Sequence, residues 1–188
     1  MRCAAPGKGR KMKKKSLDLP AAAMLVMASV PALAVDGMAI EAGNGDGANM
    51  ERIAVQWDWE RRWFQGERWH LGAYWDLALG HWRRDVQPGD NGEITEIGLT
   101  PVLRLQQNDL KGPYFEAAIG YHLLSRTSLG RKRFSTAFQF GDHLGFGYRF
   151  GAKKAFDLGY RFQHLSNADL KRPNNGINFN QIRLQYHF

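Results

Sequence analysis

Cysteine is almost missing from this 188-residue chain: there is one, Cys3. If the N-terminal segment is removed, as argued below, none remains. That excludes a disulfide, a Cys-ligated metal site and a Cys nucleophile. Long apolar runs are missing too. Beyond a stretch at 21–30, nothing approaches the roughly 20 consecutive apolar residues of a membrane helix, and charged residues recur every few positions. Helical periodicity of useful length is absent. His70, His81, His122, His143 and His187 show no spacing that points to a metal.

The positive charge is mostly a feature of the N-terminus. Arg2, Lys8, Arg10, Lys11, Lys13, Lys14 and Lys15 precede the apolar stretch, which ends in Pro31-Ala32-Leu33-Ala34. Basic, apolar and small-residue regions in that order form a secretory signal, with cleavage expected after Ala34. Residues 1–34 hold seven of the 26 basic residues and one of the 18 acidic ones. Residues 35–188 keep 19 basic and 17 acidic, so the net charge falls from +8 to +2 and nucleic-acid binding loses its support. The expectation is an exported single domain, 35–188, without a helical anchor.

What is present is alternation. Ile53, Val55, Trp57 and Trp59 alternate with polar residues; so do Trp69, Leu71, Ala73, Trp75, Leu77 and Leu79, and later Leu144, Phe146, Tyr148 and Phe150. Side chains on a strand change face at every residue, so each run is a strand with one apolar face. Seven such strands are evident, and Met38–Glu41 supplies an eighth. The apolar face is bulky and aromatic, while the other carries Gly, Asp, Glu and Arg. That inverts a soluble sandwich and fits an all-β, eight-stranded antiparallel transmembrane β-barrel in a bacterial outer membrane. Trp57, Trp59, Trp63, Trp69, Trp75 and Trp82 are expected in interfacial girdles. Turns at 61–67, 108–112 and 151–154 fall inside, and longer loops at 43–49, 84–92, 124–135 and 167–176 fall outside.

The C-terminal hairpin adds chemistry to this pattern. Phe156, Leu158, Tyr160 and Phe162 share a face whose parity runs on into His164 and Ser166. On the last strand Ile182, Leu184, Tyr186 and Phe188 trace back to Asn180 and Asn178. A His and a Ser therefore face lipid at the outer rim, an odd place unless the substrate is itself a lipid. Serine needs an adjacent base, and the base is usually oriented by a third group. His164 and Asn178 fit those two places, with Ser166 as nucleophile. The other reading is a polar pair at the membrane–water boundary.

The run from Gln163 to Ile177, with His164-Leu165-Ser166-Asn167-Ala168 followed by Pro173-Asn174-Asn175-Gly176-Ile177, resembles the signature of the PagL-type lipid A 3-O-deacylases. Trp57-Asp58-Trp59, Gly72-Ala73-Tyr74-Trp75-Asp76 and, more loosely, Phe140-Gly141-Asp142 resemble the same family. The resemblance implies an eight-stranded outer-membrane barrel that removes the ester-linked acyl chain at the 3-position of lipid A, with Ser166 as nucleophile and His164 as base. It implies lipid A or lipopolysaccharide as the partner and no cofactor, and it leaves a homodimer open. A known member of the family has Glu fourteen residues after the His; here Asn178 stands there. An amide can fix the imidazole tautomer but brings no charge. Either the enzyme is slow, or Asp169 or another carboxylate substitutes, or Asn178 suffices in a dry site. Asn174 and the backbone around Asn167 are candidates for the oxyanion hole. Arg131, Arg133, Lys171 and Arg172 are candidates for phosphate contact. The rival functions are an acyltransferase of the same membrane and a non-enzymatic barrel.

Overall fold

The computed structural model describes residues 35–188; the expected signal segment, 1–34, lies outside them. Eight long strands close into a barrel: β1 (Gly37–Gly45), β2 (Ala48–Asp58), β3 (Trp69–Arg83), β4 (Glu93–Gln107), β5 (Gly112–Leu124), β8 (Phe138–Phe150), β9 (Phe156–Ser166) and β10 (Ile177–His187). Two short strands, β6 (Ser128–Leu129) and β7 (Lys132–Arg133), form a small hairpin in the loop between β5 and β8. The order around the barrel is β1-β10-β9-β8-β5-β4-β3-β2, each pair antiparallel. Closure of β1 on β10 pairs Gly37 with His187 and Asn44 with Asn180. A closed barrel leaves no unpaired strand edge, which a lipid environment requires.

Alternation sorts the side chains as the pattern demands. Ile119, Leu144 and Ile182 are more than half exposed on the outer wall, whereas Glu96 and Arg183 are buried in the lumen. An eight-stranded barrel is only wide enough for side chains to fill, and here ion pairs fill it. Glu41 accepts hydrogen bonds from Arg52 and Arg161 at 3.0 Å and also from Arg183. Glu116 takes Arg161 at 2.6 Å and Arg104 at 3.0 Å. Asp157 takes Arg104 at 3.0 Å, and Asp76 lies 2.8 Å from Arg183. The Arg104 guanidinium also stacks 4.0 Å above the Tyr114 ring. A charge in so dry a place is tolerable only when it is paired.

The outer end of the lumen changes character. Met50, Trp82, Ile94, Leu129, Phe134, Leu165, Ile177 and Phe179 form a fully buried apolar plug under the external loops. Trp82 packs with its ring centroid 5.1 Å from that of Phe179, tilted, and 6.2 Å from that of Phe134, edge to face. Trp82 therefore does not join a girdle: its even position in β3 puts it on the inner face with Tyr74 and Asp76. Trp59, in contact with Trp63 and Trp75, sits with the outer aromatics at the other end. A second difference concerns the first external loop. β1 and β2 are longer than expected, and only Asp46 and Gly47 connect them.

Candidate active site

The site lies where β9 and β10 run side by side at the outer rim. Register places Asn178 directly opposite His164, and His164 Nδ1 is 2.7 Å from Asn178 Oδ1. An amide oxygen only accepts, so Nδ1 donates and Nε2 is the nitrogen with a free lone pair. Ser166 is two residues on, with the same parity; His164, Ser166 and Asn178 are all half-buried on the outer wall. Among the described residues Ser166 Oγ has no hydrogen-bond partner, and nucleophile–base contacts of this type are often long before substrate binds.

The plug is what holds these polar groups outward. Leu165, between His164 and Ser166, and Ile177 and Phe179, on either side of Asn178, are completely buried. A register slip of one residue would drive three apolar side chains into the rim and the polar set into the plug, so the parity is firmly fixed.

Gly176 presses on the base from the loop. Its φ is 53°, a left-handed conformation that strains any residue with a Cβ, and a Cβ there would lie 2.8 Å from His164 Cε1. Gly176→Ala is expected to displace the ring by a fraction of an ångström to an ångström and lower kcat by about 10²-fold while the barrel still forms. Steady-state kinetics beside an electrophoretic test of barrel folding would check this; wild-type turnover in a folded variant would contradict it.

The 167–176 loop is fastened by Asn167. Its Nδ2 donates to Phe134 O and Lys171 O, both at 2.8 Å, and its backbone N–H donates to Asn174 Oδ1 at 3.0 Å. All its N–H groups are thus engaged. Asn174 keeps its Nδ2 without a partner among the described residues. Ala168 and Asp169 both have positive φ, and their turn closes through Leu170 N–H to Asn167 O at 3.0 Å. Asp169 faces Arg172 at 3.4 Å in solvent and makes no bond to His164, so it does not supply a carboxylate to the base.

Two other carboxylates flank the pair. Asp142 on β8 is the register partner of His164 on its other side, but its carboxylate makes no hydrogen bond among the described residues. Asp46 does make bonds here. Its Oδ2 accepts from Asn178 N–H at 3.0 Å and Asn178 Nδ2 at 3.4 Å. Lys132 Nζ donates to the same oxygen and to Gly176 O, each at 2.9 Å. Lys132 is thus an external basic residue whose side chain bonds within the site. Arg131 borders an outward groove with Arg84, Asp85 and Asn175, and Arg133, Lys171 and Arg172 are exposed. Asp46 was missed from sequence, and Gly176 was read only as part of the motif, without its place against His164. The Asp46-Gly47 pair between two alternating runs is a hairpin signal, but nothing local connects it to a residue 132 positions later.

Residues 51–187 match the family model described as lipid A 3-O-deacylase (PagL). The chain belongs to this family. It is 32% identical to the lipid A deacylase PagL of Pseudomonas aeruginosa over 85% of this chain and 91% of that one. It is 30% identical to the lipid A deacylase PagL of Bordetella bronchiseptica over 81% of this chain and 83% of that one. A crystal structure titled as the outer membrane enzyme PagL superposes with a TM-score of 0.73 at 26% identity, covering 81% of this chain and 99% of that chain. Positions 164, 166 and 178 lie inside the matched span, and this barrel is an outer-membrane protein.

Proposed function

We propose that this protein hydrolyses the ester-linked 3-hydroxyacyl chain at the 3-position of lipid A, with the reaction on the lipid-facing wall of the barrel. The observation that carries the reading is the 2.7 Å contact between His164 Nδ1 and Asn178 Oδ1, beside a serine on a wall that meets acyl chains. Ser166 Oγ attacks the ester carbonyl carbon as its proton passes to His164 Nε2. The tetrahedral oxyanion collapses, the C–O bond to the sugar breaks, and the departing alkoxide takes the proton from the imidazolium. Water then attacks the acyl-serine with His164 again as base, and the fatty acid leaves.

The oxyanion requires donors aimed at it. Asn174 Nδ2 is the free side-chain amide, and the N–H groups of the Ala168–Asp169 turn are the backbone candidates; Asn167 supports the loop that presents them. Arg131, Arg133, Lys171 and Arg172 ring the same rim, and guanidinium and ammonium groups suit the phosphates of lipid A.

Mass spectrometry of lipid A from cells expressing the wild type and Ser166→Ala tests the reading. Loss of one 3-hydroxyacyl chain, recovered as free fatty acid, with the wild type alone is expected. Transfer of that chain to another lipid would instead indicate an acyltransferase. Unaltered lipid A with a folded wild-type barrel would end the enzymatic reading.

A further inference from the structure

His164 can act as base only in one tautomer, and Asn178 sets that tautomer. An amide is nearly symmetric in shape, so Asn178 has two ways to sit. With Oδ1 toward His164, Nδ1 carries the proton and Nε2 is free. Turned over, the NH₂ group would donate to Nδ1 and place the ring proton on Nε2, where Ser166 needs a lone pair. A glutamate at this position has no such ambiguity. An asparagine requires a neighbour that settles it.

Asp46 is that neighbour. An ionised carboxylate only accepts, so its Oδ2, 3.4 Å from Asn178 Nδ2, favours the orientation with Oδ1 on His164. The turn that carries it is short. Asp46 and Gly47 both have positive φ, 48° and 75°, in a two-residue connection between Gly45 and Ala48. Gly45 has no Cβ to obstruct the carbonyl of Asn178, which lies against it, and Arg84 donates to Asp46 O. Partial burial pulls the Asp46 pKa upward, but the bonds from Lys132 and the Asn178 backbone outweigh it and hold the pKa below the ordinary carboxylate range. The group is therefore charged at neutral pH.

We propose that Asp46 is a positioning residue for the deacylation: it orients the Asn178 amide, and through it the His164 tautomer, restoring one residue further out the acid that the third position lacks. The proposal rests on the Ser166–His164 reading above. Turn formation alone would also favour Asp before Gly. It does not explain why Lys132 Nζ, Asn178 N–H and Asn178 Nδ2 all converge on one oxygen.

Asp46→Asn separates the two roles, because Asn-Gly makes the same turn but its amide can present either group to Asn178. The expected result is a fall in kcat of about tenfold or more with KM unchanged. ¹⁵N NMR of His164 should show a shift from the Nδ1-protonated toward the Nε2-protonated ring. In an Asn178→Glu background, where the carboxylate itself fixes the tautomer, adding Asp46→Asn should cost no further activity. Full activity with an unchanged tautomer, or the same loss in both backgrounds, would overturn the proposal. So would a tautomer change in Asp142→Asn but not in Asp46→Asn. If the wild type released no fatty acid, the deacylase reading would fail, while the NMR measurement would still judge Asp46.

Discussion

His164→Gln should lower the rate of acyl release by about 10⁴-fold or more, since a serine hydroxyl without its base is a poor nucleophile. The side chain is half-buried on the outer wall and its one hydrogen bond among the described residues is to Asn178, so the folded barrel should survive. Glutamine keeps a polar group near Asn178 but offers no basic nitrogen. Ser166→Ala should fall to a similar floor. The double variant should be no slower than either single one, because groups that act as a unit are non-additive. Rates of fatty-acid release from defined lipid A micelles, with folding checked by heat-dependent mobility, would measure this. Losses that multiplied in the double variant would mean that His164 and Ser166 work independently, against a shared step.

The second large effect concerns stability. Glu41→Ala should destabilise the barrel by about 3–5 kcal/mol, the usual consequence of removing one member of a buried ion-pair set. The Glu41 side chain is fully buried and balances Arg52, Arg161 and Arg183 together. Removing it takes one shared carboxylate from three guanidiniums: Arg52 is left with Glu96, and Arg161 and Arg183 are left to divide Asp76 and Glu116. Glu51 is the control: its pair with Arg83 is exposed on both sides, and such pairs are worth about 0–1 kcal/mol. Urea unfolding in lipid vesicles, followed by tryptophan fluorescence, would compare them. Equal losses for Glu41→Ala and Glu51→Ala would show that the lumen is wetter and more adaptable than its packing implies.

The strands were legible in sequence because period two survives wherever one wall meets lipid and the other a packed lumen. Phe156 to Phe162 and Leu144 to Phe150 are cases where residue type and parity agree. The external loops 84–92 and 167–176 were legible too, as turn-rich interruptions between such runs. Trp82 was misplaced because its residue type was weighed above its parity; position 82 belongs with Tyr74 and Asp76, and the plug needs a large apolar group there. The short first connection was missed because β1 is rich in Ala and Gly, whose alternation is faint. At the site, His164, Ser166 and Asn178 are close in sequence and follow from hairpin pairing. Asp46 and Lys132 do not. Barrel closure brings β1 against β10, and folding of the β6–β7 hairpin brings Lys132 over the rim. Both are long-range events that no local pattern encodes.

The filled lumen has a kinetic consequence. With arginine–carboxylate pairs packed through the middle and an apolar plug beneath the loops, neither substrate nor fatty acid has a route through the barrel. Both must approach and depart sideways, within the outer leaflet. The enzyme therefore works in two dimensions: its rate should follow the mole fraction of lipid A in the surface around it and fall when inert lipid dilutes that surface, even at constant bulk concentration.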